Sequence, residues 1–368
     1  MAIALVIAWH YLAGQVQTVP GSLPAYGMQV FALAWAGVDL FFVLSGFLIG
    51  GILLTNRTAP NYFTAFYVRR VCRIGPVYYV SLLLFGIVTW AVQGALDAGE
   101  TSDAASWLVG SPLPFWSYLT YLQNFSMAAA GTFGPNWLGI TWSLAVEEQF
   151  YLVIPFIIRF IPIKMLPALL VTLVLSAPAF RIALFLWHPH GALAGYVLLP
   201  TRWDGLLLGV LGAYLVQHQA AWLQRRRALL TVRLIVIASA LAIVGLQAGR
   251  QSIGSMGMAM GGYTVLALFS LGVVLLATAT EEGLVKAMFR QPLLVWLGSV
   301  SYGLYLFHQP VAGVLHGVLR NQSPRIASAT DALVTLLALG STLALAALSL
   351  RWIERPLVLA SHRIRYRA

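Results

Sequence analysis

The stretch Asn136-Trp137-Leu138-Gly139-Ile140-Thr141-Trp142-Ser143-Leu144-Ala145-Val146-Glu147-Glu148-Gln149-Phe150-Tyr151-Leu152-Val153-Ile154-Pro155 decides how this chain is read. It is long and apolar enough to enter a bilayer, yet two adjacent carboxylates stand near its middle, where a charged side chain costs roughly 2.5 kcal/mol or more. On a helix Ser143, Glu147 and Tyr151 lie one above another at spacing four, and Glu148 sits about 100° further round. Glu147 can therefore face a polar cavity while Glu148 looks toward a neighbour. Taken alone, Glu147 is either a catalytic acid or a buried carboxylate paired with an arginine for packing.

The rest of the chain sets the environment of that stretch. Its 368 residues are 60% hydrophobic and 9% charged, with a mean hydropathy of +0.83, whereas soluble domains are about 25% charged. The predicted fold class is therefore all-α, a polytopic membrane helix bundle. Apolar segments run at about 1–13, 30–54, 76–93, 137–161, 166–186, 197–216, 231–248, 262–280, 292–318 and 331–353, most near the ~20 residues that cross a bilayer. They predict about ten transmembrane helices. The first is only about 20 Å long as a helix, so its span is expected to begin upstream of Met1. No repeat, low-complexity tract or composition break divides residues 1–368, which are read as a single domain.

The net charge of +11 would suit nucleic acid, but the charges fall by topology. One set of alternating loops and flanks holds 17 of the 22 Lys and Arg, the opposite set holds only Arg250, Arg320 and Arg325, and Arg181 and Arg202 lie inside spans. Cytoplasmic loops retain Lys and Arg, so both termini are predicted to be cytoplasmic and no nucleic-acid partner is expected. The single cysteine, Cys72, excludes an internal disulfide and a cysteine-based metal cluster. No metal is expected. Met1 opens directly on an apolar run, without the charged start of a cleavable signal. Residues 94–136 form the longest excursion, predicted on the outer side. Their second half is rich in aromatics and prolines and reads as an interfacial hairpin or an aromatic belt at the membrane surface.

Several polar residues inside apolar runs are candidates for chemistry. His10, in the first span, is either a packing residue or a base able to take a proton from a hydroxyl near neutral pH. Asp39 lies in the run Gly37-Val38-Asp39-Leu40-Phe41-Phe42-Val43-Leu44-Ser45-Gly46-Phe47. It could fix the tautomer of His10 or stand at a span boundary, and Gly46 with Gly50 allows close helix approach. Arg69, Arg70 and Arg73 cluster at a helix end, where they suit a phosphorylated substrate or anionic lipid headgroups. Arg202 and Asp204 fall on different faces of one helix, each free to pair across helices, with Glu147 one possible partner. Ser301, Tyr305 and His308 share a helix face, with Tyr302 beside them, and such a stripe faces a cavity more readily than lipid. Glu354-Arg355-Pro356 closes the last span among arginines as a structural or phosphate-binding corner.

Taken together these stretches resemble the acyltransferase 3 family of membrane O-acyltransferases. The resemblance rests on His10, the 37–47 run, Arg69-Arg70-x-x-Arg73, Trp142-Ser143-Leu144-x-x-Glu147-Glu148-Gln149-Phe150-Tyr151, Arg202-x-Asp204, Ser301-Tyr302-x-Leu304-Tyr305-x-x-His308-x-Pro310 and Glu354-Arg355-Pro356, in the family's order. It implies transfer of an acyl group, usually acetyl, from acyl-CoA on the cytoplasmic side to a sugar hydroxyl in the bacterial inner membrane. The acceptor would be a cell-surface glycan or a glycosylated small molecule. On the matching positions the resemblance implies His10 as the catalytic histidine, and the residues themselves offer Glu147 or Asp39 to orient it. Arg69, Arg70 and Arg73 meet the donor's phosphates, and Ser143, Tyr151, Arg202, Asp204, Ser301, Tyr302, Tyr305 and His308 build the cavity. The family's arginine preceding this histidine would fall before Met1. The alternative from the residues alone is a transporter or flippase for a glycan or lipid-linked substrate, because intramembrane acids and bases also mark transport paths.

Overall fold

With no water in a bilayer core to satisfy the backbone, apolar runs must close their own hydrogen bonds as helices, and the chain folds accordingly. The computed structural model describes residues 1–18, 22, 27–28, 31, 33–97, 102–249, 251–279 and 284–367, with side chains undescribed at 95–97, 279 and 284–286. Arg250 of the charge pattern lies outside the described residues. Among the described residues every named element is helical, and one parallel bridge joins Val16 to Ile326.

The helices are α1 (Ala2–Ala8, continued by a π-helical turn at Trp9–Ala13), α2 (Gly37–Thr55), α3 (Tyr62–Asp97), α4 (Asp103–Val109), α5 (Phe115–Leu119), α6 (Gln123–Ala130), α7 (Asn136–Gly139), α8 (Trp142–Phe160) and α9 (Leu166–Trp187). They continue as α10 (Gly191–Val197), α11 (Leu199–His218), α12 (Ala220–Leu223), α13 (Arg226–Ala248), α14 (Tyr263–Ala279), α15 (Leu284–Phe289), α16 (Pro292–Ser299), α17 (Ser301–Arg320), α18 (Ala329–Ser349) and α19 (Arg355–Ser361).

Six segments, at Ala34–Thr55, Tyr62–Gly94, Leu166–Trp187, Arg226–Ala248, Met258–Thr278 and Ala329–Ser361, are long and apolar enough to cross a membrane among the described residues. The expected segment at 197–216 is α11, of 20 residues, whereas 137–161 is divided into α7 and the 19-residue α8, and 292–318 into α16 and the 20-residue α17. Ala2–Ala13 is a shorter apolar helix. Burial separates the roles of the spans. The apolar window of Ala34–Thr55 is 61% buried and that of Arg226–Ala248 only 11%, so α2 is central and α13 leaves most of its surface outside the protein.

Among the described residues the most extensive helix contact is α2 against α11, and glycine makes it. A Cβ on Gly46 would strike the Leu206 carbonyl, one on Gly209 would strike the Val43 carbonyl, and one on Gly50 would sit 2.9 Å from Val210 Cα. Backbone therefore lies on backbone, as the Gly46/Gly50 spacing predicted, and Asp39 and Arg202 are brought within reach of each other at one end of the same seam.

The 94–136 segment, expected as a hairpin at the interface, is folded through α4 to α7. Gln123, Asn124, Tyr118 and Met127 are buried by the bundle, because its aromatic and amide side chains find partners there. Gln123 Nε2 donates to the Thr141 carbonyl at 2.9 Å, and Tyr78 donates to the Tyr118 carbonyl at 2.8 Å. At its start Asp103 accepts from the Ser323 amide at 2.7 Å and the Ser323 hydroxyl at 2.6 Å. These bonds hold its carboxyl below the ordinary carboxylate range. Because the folded value is the depressed one, this clasp is complete at neutral pH and is lost as pH falls through it.

Replacing Gly46 by Leu is expected to cost about 3 kcal/mol through overpacking. The loss should appear as a lowered unfolding temperature in detergent, whereas Gly245→Leu, where nothing stands within 4 Å of the added carbon, should leave that temperature within a degree or two of wild type, roughly.

Candidate active site

A charge buried in an apolar interior persists only when paired and hydrogen-bonded, and three of the candidate charges obey this through two ion pairs. Arg202 Nη2 binds Asp39 Oδ1 at 2.7 Å, α11 to α2, with both residues buried. The Arg202 guanidinium is also caged by rings, its Cζ lying 4.1 Å from the Tyr263 centroid, 5.0 Å from Tyr196, 5.7 Å from Phe42 and 5.8 Å from Trp142. Cation–π attraction of this kind reaches about 2 kcal/mol when desolvated. Asp204 instead faces α9, where Arg181 Nη1 meets its Oδ2 at 2.9 Å. Arg181 is fully buried and spends its remaining donors on the Thr201 and Ala259 carbonyls and the Thr264 hydroxyl. Ala259 lies in a second π-helical turn, Met258–Gly262, a geometry that frees carbonyls from the ordinary ladder.

His10 occupies the π-helical turn that ends the first helix. Its Nδ1 lies 3.0 Å from the Val6 carbonyl and 3.3 Å from His308 Nε2. His308 is fully buried on α17, and its own Nδ1 lies 2.6 Å from the Tyr305 carbonyl. The next residue, Tyr11, donates its hydroxyl to the His308 carbonyl at 2.7 Å. His308 is thus held by two successive residues, His10 and Tyr11, of the π-helical turn that follows α1.

Beside this pair a cavity of about 400 Å³ opens among α1, α2, α3, α8 and the α16–α17 corner. Val6 and Tyr305, whose carbonyls hold the two histidines, line it. So do Glu147 and Tyr151 of α8, Arg70 and Arg73 of α3, and Ser301 and Tyr302 of α17. The remaining wall is largely apolar, from residues such as Val38, Phe41, Leu44 and Leu144. Inside it Tyr151 donates to Glu147 Oε1 at 3.1 Å and stands 2.5 Å from Ser45 Oγ. Ser143 is one step behind the wall, 2.7 Å from the Tyr305 hydroxyl.

The arginine end is ordered by the last residues of the chain. Arg73 pairs with buried Glu354 at 3.6 Å, Glu354 lying in a third π-helical turn, Leu350–Glu354. Arg69 donates to the Ile364 carbonyl at 2.9 Å and lies 4.9 Å from the Tyr366 ring. Arg70 makes no ion pair among the described residues, and its Nε is buried without a hydrogen-bond partner. Arg69 likewise makes no ion pair among the described residues and has its Nε unpartnered, but of these two only Arg70 lines the cavity.

Several expectations change on this geometry. No hydrogen bond joins Asp39 or Glu147 to His10, because Arg202 holds Asp39 and the Tyr151–Ser45 pair holds Glu147. Glu147 is not the partner of Arg202 or Asp204, which are drawn to Asp39 and Arg181 instead. Asp39, Arg69, Arg202, Asp204 and both histidines, His10 as well as His308, do not line the cavity, which meets the histidines only through Val6 and Tyr305. Arg181, Tyr196, Tyr263 and Tyr11 were missed as parts of the polar interior. Only Arg181 carried a signal, as a cation inside a span, since a tyrosine among apolar residues reads as ordinary packing. Glu148 is half-buried with one carboxylate oxygen unpartnered. Among the described residues no three His, Cys, Asp or Glu side chains group as a metal site.

A helical membrane protein with two ion pairs buried in its bundle, Arg202–Asp39 and Arg181–Asp204, beside a chamber lined by Arg70, Arg73 and Glu147, is the class defined by this fold. The chain belongs to the acyltransferase 3 family, whose profile, described as an acyltransferase domain, matches residues 1–351. It is similar to the peptidoglycan O-acetyltransferase OatA of Listeria monocytogenes, 29% identical over 334 residues, covering 87% of this chain and 51% of the relative. It is also similar to the O-acetyltransferase OatA of Staphylococcus aureus, 26% identical over 331 residues, covering 87% of this chain and 52% of the relative. The chain therefore spans about half the length of these curated relatives. No solved structure matches it.

Changing Arg181 to Met should destabilise the protein by about 3–5 kcal/mol, because Asp204 is then buried without its cation. The double change Arg181→Met with Asp204→Leu should recover most of that loss, both read from unfolding temperatures in detergent.

Proposed function

We propose that this chain is a membrane O-acyltransferase that moves an acetyl group from acetyl-CoA to a glycan hydroxyl, with peptidoglycan the acceptor indicated by its relative from Listeria monocytogenes. In this reading residues 1–368 act as one ten-span domain in a bacterial cytoplasmic membrane, with both termini and the arginine end on the cytoplasmic side. The observation that carries it is the cavity linking Arg70 and Arg73 to Val6 and Tyr305, the two residues whose carbonyls hold the histidines.

The donor fits what stands there. Its phosphates are matched by Arg70 and Arg73 at the mouth, where a guanidinium binds phosphate with two parallel bonds. Its uncharged pantetheine arm suits the apolar wall. A space of about 400 Å³ is small enough to favour a short acyl group over a long chain. At the inner end His10 takes the proton from the acceptor hydroxyl, and the hydroxyl oxygen attacks the thioester carbonyl. The carbon–sulfur bond then breaks and the departing thiolate receives that proton from His10. Glu147, steadied by Tyr151 and Ser45, offers a hydrogen-bond acceptor inside the cavity for the acceptor sugar or the arm's amides. Asp39, Arg202, Asp204 and Arg181 hold the helices in place around it.

Purified protein given acetyl-CoA and muropeptides should release free thiol and yield muropeptides heavier by one acetyl group. His10→Ala should lower kcat by about 10²- to 10⁴-fold with little change in KM for acetyl-CoA. Arg70→Ala should instead raise that KM about tenfold or more, the loss of one charge-assisted contact. Proton-coupled uptake of a glycan without thiol release would replace this reading by a transporter.

A further inference from the structure

The mechanism leaves a chemical requirement unmet. A histidine that works as a base must present one particular nitrogen with its lone pair, and in hydrolytic triads a carboxylate bonded to the other nitrogen fixes this. Neither Asp39 nor Glu147 does so here, for the reasons above.

The hydrogen bonds of the histidine pair determine both tautomers. The Tyr305 carbonyl can only accept, so His308 Nδ1, at 2.6 Å, carries the proton, and neutral His308 presents its Nε2 lone pair. The Val6 carbonyl likewise can only accept, so His10 Nδ1, at 3.0 Å, carries a proton as well. That same N–H lies 3.3 Å from the His308 Nε2 lone pair. Donor meets acceptor at every contact with no conflict. His10 Nε2 is thereby left as the lone-pair nitrogen, with no hydrogen bond to it among the described residues. The ring centroids are 4.8 Å apart at 56°, too steeply inclined for stacking.

We propose that His308 is the positioning residue of His10, holding it in the Nδ1–H tautomer with Nε2 left as the base, and that this membrane site uses a neutral imidazole where a triad uses an acid. The inference rests on the reading of His10 as the base. When His10 Nε2 accepts the hydroxyl proton, its Nδ1–H stays on His10, and the bond to His308 becomes charge-assisted and stronger. No proton moves onto His308. Two features favour a positioning role over simple packing. Among the described residues His308 Nε2 has its hydrogen bond with His10, and its backbone carbonyl accepts from Tyr11, so the residue is held from both sides.

Glutamine at 308 can place its Oε1 close to the missing Nε2 and still accept from His10, whereas leucine fills the space with no acceptor. His308→Leu should lower kcat for acetyl transfer from acetyl-CoA to muropeptides by about 10²-fold or more, with KM for acetyl-CoA within about threefold. His308→Gln should restore kcat to within about tenfold of wild type. In a His10→Ala background, His308→Leu should cause no further loss, because its effect passes through His10. A His308→Leu protein with kcat within threefold of wild type, glutamine no better than leucine, or additive losses in the double variant would each overturn the proposal. Should His10→Ala itself retain full turnover, the base assignment fails instead, which separates the two ideas.

Discussion

The ion pair between Arg202 and Asp39 is the constraint on which the rest of this structure depends. Either charge alone in an apolar bundle would carry a penalty of several kcal/mol, so α2 and α11 are obliged to meet where the pair forms. The glycines of both helices let them meet backbone to backbone. With that seam fixed, the aromatic cage of Tyr263, Tyr196, Phe42 and Trp142 closes round the guanidinium and ties α8, α10 and α14 to the same point. The second pair, Arg181 with Asp204, uses the opposite face of α11 to anchor α9. One short sequence, Arg202-Trp203-Asp204, thereby joins helices on two sides.

The chamber is what this framework leaves open. Along α8 the spacing of four carries Ser143, Glu147 and Tyr151 down the side that faces α2 and α17: Ser143 meets Tyr305 of α17, Tyr151 meets Ser45 of α2, and Glu147 accepts from Tyr151 one turn along α8 itself. Glu148, a third of a turn away, is turned out of the chamber. The polar residues that shape the site also explain why α8, α11 and α17 fall outside the most apolar spans. A helix that lends its side chains to a buried network gives up hydropathy that a lipid-facing helix such as α13 keeps.

Much of this was legible in the residues. The all-helical membrane fold follows from composition and from runs of about twenty apolar residues, because lipid allows the backbone few alternatives. The glycine spacing of α2 announced a close helix contact, and charges inside spans marked His10, Asp39, Glu147, Arg202 and Asp204 as parts of one interior. Pairing was not legible. Which acid meets which base depends on helix rotation and on crossings set by tertiary packing, so Asp39 was matched to His10 when Arg202 had the better claim. The π-helical turns at Trp9–Ala13, Met258–Gly262 and Leu350–Glu354 were equally hidden, since they arise from packing and leave no periodicity of their own. Each falls beside a polar contact that a regular helix would have displaced: His10 on His308, Ala259 on Arg181, Glu354 on Arg73.

The central claim is that the cavity between the arginine end and the histidine pair is where the acyl donor lies. Because Cys72 is the chain's single cysteine, a Cys72→Ser protein with Ser301→Cys carries one thiol, placed on the cavity wall. The most direct test is the rate at which a membrane-impermeant maleimide modifies that thiol in oriented vesicles, with and without acetyl-CoA. The account predicts modification from the arginine side only, slowed about tenfold or more by a saturating donor. Modification from the opposite face, or a rate indifferent to acetyl-CoA, would contradict it.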